Sequence, residues 1–451
     1  MTKEKNQTGN EGIFDARKLG LPKMLLLGIQ HTFAMFGATV LVPLLTGLSI
    51  STTLLMAGLG TLLFHLITKG KVPAFLGSSF AFLGGYAAVA PLQDANGNIL
   101  DNSSILPYAC LGVAAAGVIY LILSAIVKLF GVNKVMRFFP PIVTGPIIIS
   151  IGLILSPSAI QNCSTNWLLA GVALATIIIC NIWGKGMVKI IPIIIGVVAS
   201  YIVAVFTNAV DFKTVSEAAW IGSPITWSQT VFGGVDFSNS LVISSIIAIV
   251  PISLATMMEH IGDISAISAT CGKNYISEPG LHRTLLGDGL ATIVASLFGG
   301  PANTTYGENT GVLALTKVYD PRVIRIAACF ATILSFSPKF AAIINTIPPA
   351  ILGGVSLILY GMISAVGIRN VVESKVDLTV SRNLIIAAVI LVTALGFDSI
   401  GGITFTIGSA AITISGIAIA AILGIVLNAI FPGNDYVFAE EEDNTGVEFK
   451  I

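Results

Sequence analysis

Charged residues are scarce in this sequence: among 451 residues there are 23 basic and 23 acidic ones, 10% of the chain, with no net charge. So few charged residues cannot supply the polar surface that a water-soluble protein of this length needs. The zero net charge argues against nucleic acid as a partner. Hydrophobic residues are abundant instead, at 55%, with a mean hydropathy of +0.91. The composition predicts a polytopic helical membrane protein whose main solvent is the lipid bilayer.

Cysteine is scarce too, and its five copies are scattered without the spacing of metal ligands, so neither a disulfide framework nor a metal site is predicted. No nucleophile paired with a base is legible, so we expect no enzyme, no catalytic residue and no cofactor. The polar segment 1–23 has no apolar core or cleavage site, which indicates a retained tail rather than a signal peptide.

Apolar runs dominate the rest of the chain. A helix needs about 20 residues to cross a hydrocarbon core, and about fourteen runs approach that length. Two of them are broken by polar residues. The predicted spans are 24–46, 51–68, a broken one at 74–91, 106–130, 138–156, 167–184, 188–206, 240–262, 284–299, a broken one at 302–318, 323–338, 348–366, 383–399 and 407–430.

The basic residues support this map. If the N-terminus is cytoplasmic and each span reverses the chain, only Lys213 and Lys339 of the 23 basic residues fall on the outer side. Such an asymmetry is typical of membrane proteins, whose cytoplasmic loops are enriched in Lys and Arg. It predicts a multi-pass protein of the plasma (inner) membrane with both termini in the cytoplasm.

The chain also repeats itself. "PPIVTG" (140–145) opens the fifth span and "PPAILG" (348–353) opens the twelfth, while the broken segments are the third and the tenth. Seven spans per half force the second copy to enter the membrane from the opposite side, as in the inverted repeats of secondary transporters. The alternative is a chance recurrence of Pro-Pro-apolar-Gly.

The broken segments, "AFLGSSFAF" (74–82) and "ANTTYGEN" (302–309), are too polar and Gly-interrupted for a helix at membrane depth. Their backbone groups must be buried in protein or line a wet cavity. Each is predicted to be a short extended stretch followed by a half-helix whose N-terminus attracts acceptor atoms. Paired interruptions of this kind indicate a transporter's substrate site.

Carboxylates in apolar runs are the next candidates. Glu259 and Asp263 are four residues apart and share a helix face. Two such acids, away from water, do not both ionise readily, so a proton can be bound and released there. The alternative is that they bond to backbone or lie in water at the end of the span. Glu308 begins a half-helix as either a ligand or a cap, whereas Asp288 and Asp398 are interpreted as caps and left out of the site.

Three aromatic residues and one histidine each have two interpretations. Tyr306, Phe80 and Tyr360 are platforms for a ligand or simply core. His31 orients a neighbour or is a satisfied interior histidine. Together these residues suit a small, flat, uncharged molecule with donors and acceptors, and they suit an anion poorly because we place no Lys or Arg in the candidate cavity.

Several blocks of sequence resemble the nucleobase–ascorbate transporter family, and within it the branch that transports uracil. The match around Glu308 follows the family's signature of an acid or amide, Asn, any residue and Gly, and then a Thr and a base at Thr316 and Lys317. The blocks are "GIQHTFAMFGATVLVP" (28–43), "KVPAFLGSSFAF" (71–82), "EHIGD" (259–263), "PGLHRTLLGDGLAT" (279–292), "NTTYGENTGVLALTKVY" (303–319) and "GGVSLILYG" (353–361).

The resemblance implies fourteen segments in two inverted repeats of seven, with short β-strands in segments 3 and 10, divided into core and gate domains. Homodimers are also common in the family. The implied parts are an N-terminal tail (1–23), core (24–135), gate (136–207), an outer loop (208–239), core (240–340), gate (341–430) and an acidic cytoplasmic tail (431–451).

The resemblance also assigns roles to residues. Glu259 and Glu308 would bond the edges of the base, the backbone of Phe80 and Gly307 would complete its polar contacts, and Glu259, Asp263 and His31 would couple transport to H+, with Na+ left open. The remaining substrate-binding residues would be Tyr306, Tyr360, Ala38 and Ser79.

One departure bears on selectivity. Uracil-type members carry His where this chain has Asp263, whereas purine-type members carry Gln where it has Glu308. The context of Glu308 favours proton-coupled uracil import by alternating access. Xanthine or another oxopurine is the alternative. An anion transporter of the same architecture is a third class, against which Glu308 argues.

Overall fold

The computed structural model describes residues 12–93, 100–407 and 410–433, apart from the side chains of Asn133, Met136, Glu308 and residues 406–412. Helices dominate, as predicted, and four short strands form two separate antiparallel pairs. The helices are α1 (Leu21–Thr46), α2 (Ile50–Ile67), α3 (Leu83–Val89), α4 (Leu106–Phe130), α5 (Val132–Met136), α6 (Pro141–Ser164), α7 (Trp167–Trp183), α8 (Met187–Ile190), α9 (Pro192–Phe206), α10 (Lys213–Glu217), α11 (Val231–Gly234), α12 (Leu241–Ile249), α13 (Ile252–Cys271), α14 (Leu281–Leu297), α15 (Gly307–Thr316), α16 (Pro321–Ser335), α17 (Pro338–Asn345), α18 (Pro349–Glu373), α19 (Ser381–Ser399) and α20 (Gly416–Ile430). The strands are β1 (Leu76–Ser78), β2 (Asn303–Thr305), β3 (Ile403–Ile407) and β4 (Ala410–Ile414).

Seven helical stretches in the described residues are long and apolar enough to cross a membrane. They are α1, α2, α4, α6, the continuous run of α12 and α13, α18 and α19. The pair α16 and α17 adds an eighth stretch if it counts as one span, although the two helices are bent by 86°. Shorter apolar helices, among them α7, α9 and α20, lie in further predicted spans.

Both copies of the Pro-Pro motif open a helix. Pro141 and Pro349 are the first residues of α6 and α18, where a missing N–H costs nothing and the fixed backbone angle suits helix initiation. Hydroxyl and amide side chains cap other helices: Ser49 accepts from the Thr52 N–H, and Asn166 accepts from the first turn of α7.

The last predicted span, 407–430, is wrong at its start. Residues 403–407 and 410–414 pair as strands β3 and β4, with Ile403 opposite Ile414, and the helix begins only at Gly416. The sequence "ITFTI" alternates Thr with apolar residues, a period of two that favours a strand over a helix. Two other helices extend beyond the predicted spans: α6 continues to Ser164, and the α12–α13 run continues to Cys271.

The inverted repeat is visible in which helices pack together. Each helix of one repeat has a counterpart in the other, so each contact between helices should have an equivalent contact. The α4–α14 contact corresponds to α16–α2, the α7–α9 contact to α19–α20, and the α6–α19 contact to α18–α7. All six contacts are present. At the centre of α6–α18, a Cβ on Gly367 would lie 2.7 Å from the Gly145 carbonyl oxygen, so these backbones approach as closely as small residues allow.

Candidate functional site

The two broken segments lie side by side. Strand β1 pairs antiparallel with β2, with Leu76 opposite Thr305 and Ser78 opposite Asn303, and all six strand residues are buried. The ladder continues outward through the Ser79 N–H, which donates to the Ala302 carbonyl at 3.0 Å. Each strand runs into a half-helix: β1 into a 3₁₀ turn (Phe80–Phe82) and α3, and β2 into α15.

A threonine from the preceding helix holds each strand. Thr61 of α2 donates to the Leu76 carbonyl at 3.1 Å, and Thr292 of α14 donates to the Asn303 carbonyl at 2.8 Å. The Asn303 side-chain amide in turn donates to the Met56 carbonyl at 2.6 Å. These bonds satisfy strand groups that have no water to bond with at membrane depth.

A cavity of about 440 Å³ adjoins the second half-helix. One face of α15 lines it with Gly307, Gly311 and Ala314, opposite residues of α1, α18 and the turn between α7 and α9. The volume falls in the usual range for small-molecule sites. Lys189 and Asn181 also line this cavity, so the prediction of a cavity without Lys or Arg is wrong. Lys189 reaches it because the short helix α8 packs against α15.

The acids of α13 lie beside the same half-helix, but the prediction that both are buried is wrong. Glu259 is exposed and Asp263 is half-buried, and a Cβ built on Gly262 would meet nothing within 4 Å, so this face of α13 borders open space. An Asp263 carboxylate oxygen lies 3.4 Å from the position that a Cβ on Gly307 would occupy. Asp263 therefore stands next to the N-terminus of α15, where a helix favours negative charge.

Glu308 is the second residue of α15, and its side chain lies outside the described part of the structure. Its neighbour Asn309 is buried and ties the half-helix to α1. The Asn309 side-chain amide donates to His31 Nδ1 at 3.1 Å and to the His31 carbonyl at 3.3 Å. Since Nδ1 accepts, a neutral His31 carries its proton on Nε2.

Tyr306 is buried between α1 and the strands rather than on the cavity wall. Its hydroxyl donates to the Ser78 carbonyl at 2.8 Å and accepts from Thr39 Oγ1 at 3.3 Å. Its ring covers Gly77, where a Cβ would come within 2.5 Å of the ring carbons. Tyr306 thus fixes the spacing between β1 and the start of α15.

The other predicted site residues occupy mixed positions. Ala38 is buried, and its carbonyl accepts from Ser78 Oγ at 3.4 Å. Ser79 is buried and directly precedes the 3₁₀ turn, while Phe80 is half-buried against both main hydrophobic clusters. Tyr360 is buried in α18, outside the residues that line the cavity.

A buried polar cluster was missed from the sequence. His260 Nδ1 lies 2.8 Å from Thr305 Oγ1 and 3.2 Å from Asp288 Oδ2, and the Thr305 hydroxyl donates to Asp288 Oδ1 at 3.2 Å. The interpretation of Asp288 as a helix cap is wrong, because it lies fully buried inside α14. An acid within an apolar helix, flanked by glycines in "LGDGL", was the available signal.

Among the described residues, no group of three or more His, Cys, Asp or Glu side chains is placed to hold a metal ion. The site instead combines a strand pair, a half-helix N-terminus, adjacent carboxylates and a cleft between packed helices. This arrangement defines a class: a membrane permease built on an inverted repeat, rather than an enzyme.

Sequence comparison gives the family. Residues 22–400 match the profile of a permease family. The uracil permease of Bacillus subtilis (strain 168) is 40% identical over 418 residues, covering 90% of this chain and 91% of the relative. That of Bacillus caldolyticus is 40% identical over 418 residues, covering 91% and 92%. The chain belongs to this permease family, the nucleobase–ascorbate transporters.

Structure comparison supports the fold alone. The transmembrane domain of a cyanobacterial bicarbonate transporter, BicA, aligns with a TM-score of 0.60 at 16% identity, covering 93% of this chain and 99% of that domain. The architecture is therefore shared with transporters whose sequences have diverged far from this one.

Proposed function

We propose that this protein imports uracil by proton symport, exposing one site alternately to the two sides of the membrane. The observation that carries the proposal is the meeting of β1, β2 and Asp263 at the Gly307 end of α15. Of these residues, Gly307 itself lines the 440 Å³ cavity. Relatives at 40% identity along nine-tenths of the chain are named uracil permeases, which supports the choice of substrate.

In this proposal the base lies against the two half-helix N-termini. Glu259 and Glu308 accept from its N–H groups or, when protonated, donate to its carbonyls, and the backbone N–H groups of Phe80 and Gly307 donate to carbonyl oxygens. Ala38, Ser79, Tyr306 and Tyr360 shape the pocket. For Tyr306 the role is indirect, since its hydroxyl already bonds the strand backbone.

Protons couple to transport through acids near the base. Glu259 and Asp263 lie on one face of α13, and His31 contacts α15 through Asn309. Binding a proton on this face removes a negative charge next to the helix N-terminus and frees a donor for the substrate. H+ is the proposed ion and Na+ the alternative.

The moving parts are proposed to be a core domain (24–135 and 240–340) and a gate domain (136–207 and 341–430). The cavity lies between α1 and α15 of the first and α8, α9 and α18 of the second, which is where relative motion would open or close a path. A homodimer in the plasma membrane, with both termini cytoplasmic, completes the proposal.

Uptake of radiolabelled uracil into proteoliposomes tests the function. We expect accumulation that rises when the outside is made acidic relative to the lumen and collapses with a protonophore. A Na+ gradient at equal pH on both sides should give no accumulation. Uptake driven by Na+ alone would replace H+ as the coupling ion, and no uracil uptake under either gradient would refute the proposal.

Xanthine is the second candidate because Asp263, rather than His, stands beside Gly307. Unlabelled xanthine and bicarbonate are added as competitors in the same assay. We expect uracil to compete most strongly, and bicarbonate not at all, since Asp263 at the half-helix would repel an anion. Stronger competition by xanthine would reassign the substrate to the oxopurines.

A further inference from the structure

Residues 12–20, here called the strap, pair with the segment that comes after the substrate half-helix. The Ile13 N–H donates to the Lys317 carbonyl at 2.7 Å, and the Tyr319 N–H donates to the Ile13 carbonyl at 2.8 Å. Lys317 is the residue at which α15 ends, in a left-handed conformation with φ of 53°. The strap thus bonds directly to the end of α15 that is opposite Gly307.

Charged groups fasten the strap a second time. The Ala16 N–H donates to Asp320 Oδ2 at 2.7 Å, and Arg322 Nη1 lies 3.0 Å from both Asp15 Oδ1 and Asp320 Oδ2. Hydrogen bonds from Arg17 and the charge of Arg322 lower the pKa of Asp15 to about 2, so its carboxylate is ionised at physiological pH. Asp320 is also the cap of α16, which makes the strap part of that helix start.

Aromatic contacts extend the strap to α13. The Phe14 ring lies 5.3 Å from the Tyr319 ring, and Lys273 Nζ lies 3.9 Å from the centre of Phe14. Lys273 lies two residues beyond the end of α13, the helix that bears Glu259 and Asp263. One nine-residue segment therefore contacts the ends of α13 and α15 and the beginning of α16.

A half-helix needs such support. With ten residues, α15 is too short to be stable alone, because isolated helices below about 12 residues are marginal. Its first end is fixed by β2 and by Asn309, and its last turn depends on the contacts of Lys317 and the residues after it. We propose that the strap is a positioning element: by holding the end of α15, it keeps Gly307 aligned with β1 and Asp263 for substrate binding.

The contrast between Ile13→Pro and Ile13→Ala tests this directly. Both variants replace the Ile13 side chain. Only proline also removes the backbone N–H that donates to the Lys317 carbonyl. The reporter is Val312→Cys, a fully buried position in α15, in a Cys329→Ser background because the other four cysteines are buried. Its labelling by a maleimide measures opening of the half-helix.

We expect Ile13→Pro to speed labelling by about fivefold or more, the effect of losing one net hydrogen bond, while Ile13→Ala stays near the parent rate. Asp15→Asn, a change at a half-buried residue that weakens the ion pair with Arg322, should give an intermediate increase. Asp15, the residue changed in that variant, supplies the second test if Ile13→Pro fails to fold. Equal labelling in all variants that fold would overturn the proposal.

Substrate affinity supplies the functional readout, which rests on the proposed uracil transport. In thermal-shift titrations, Ile13→Pro should raise the Kd for uracil about fivefold relative to Ile13→Ala. If the unmodified protein binds no uracil, the proposed function fails while the labelling experiment still decides the role of the strap. Faster labelling with an unchanged Kd would show that the strap does not position the site, and would overturn the inference.

Discussion

Single side chains decide how the buried centre is held. His260, Thr305 and Asp288 form a buried polar cluster that includes the last residue of β2, Thr305. A buried carboxylate is costly unless it is paired and hydrogen-bonded, so each member stabilises the other two. The cluster joins the helix of Glu259 and Asp263 to the strand that leads into α15.

A double-mutant cycle measures this coupling. His260→Ala leaves Asp288 without one of its two partners and should destabilise the protein by about 3–5 kcal/mol. Asp288→Asn keeps an acceptor for Thr305, so the double variant should be more stable than the sum of the single losses by about 0.5–3 kcal/mol. Thermal unfolding in detergent gives the values. Strictly additive losses would mean that the two side chains do not interact.

The sequence could indicate such residues but not their partners. Helical spacing placed Glu259 and Asp263 on one face of α13, as the structure has them, yet it could not say that this face borders open space. His260, one residue later, points to the opposite, buried side, and its partners come from segments 28 and 45 residues away. Pairings at that separation depend on packing, which residue patterns do not encode.

Among the structural elements, the strand pair imposes a tight steric condition next to the proposed site. Gly77 of β1 lies under the ring of Tyr306, so a methyl group there must displace the ring that bonds the Ser78 carbonyl. Gly77→Ala should cost about 1–3 kcal/mol, the usual range for overpacking. It should also weaken uracil binding, because the start of α15 moves with Tyr306.

Gly84→Ala is the matched control. Gly84 lies in α3, in the same broken span as Gly77, and a Cβ there meets nothing within 4 Å. Alanine in a helix interior is favoured over glycine by about 0.5–1 kcal/mol, so this variant should be as stable as the parent or slightly more so. If both alanines had the same effect on melting temperature and uracil affinity, the contact between Gly77 and Tyr306 would not be the cause.

Element prediction worked where the pattern was local. Pro-Pro motifs located the starts of α6 and α18, and polar interruptions located both half-helices. The β3–β4 strand pair was missed because its apolar residues continue into those of α20. Together they form one apolar run long enough to be predicted as a single membrane-spanning helix. The strap was missed because its bonds reach the 317–322 segment, about 300 residues along the chain.

At the scale of the whole molecule, the inverted repeat brings two interruptions of the same kind to one place. Helices α1 and α2 pack against β1, and helices α13 and α14 pack against β2. Helices α16 and α4 pack in turn on α2 and α14. The repeat could be predicted from the motifs and from the basic residues. The cavity and the Lys189 on its wall could not, since they depend on how α8 turns back against α15.

The central claim is that the half-helix at Gly307 and Glu308 binds the base, and a uracil titration of Glu308→Gln by thermal shift tests it most directly. Losing one charged hydrogen-bond partner costs about 1.5–3 kcal/mol, which is roughly a tenfold to hundredfold weaker Kd. Glu278→Gln, at an exposed ion pair with Lys71, is the control and should bind as the parent does. Equal affinity in Glu308→Gln and the parent would contradict the account.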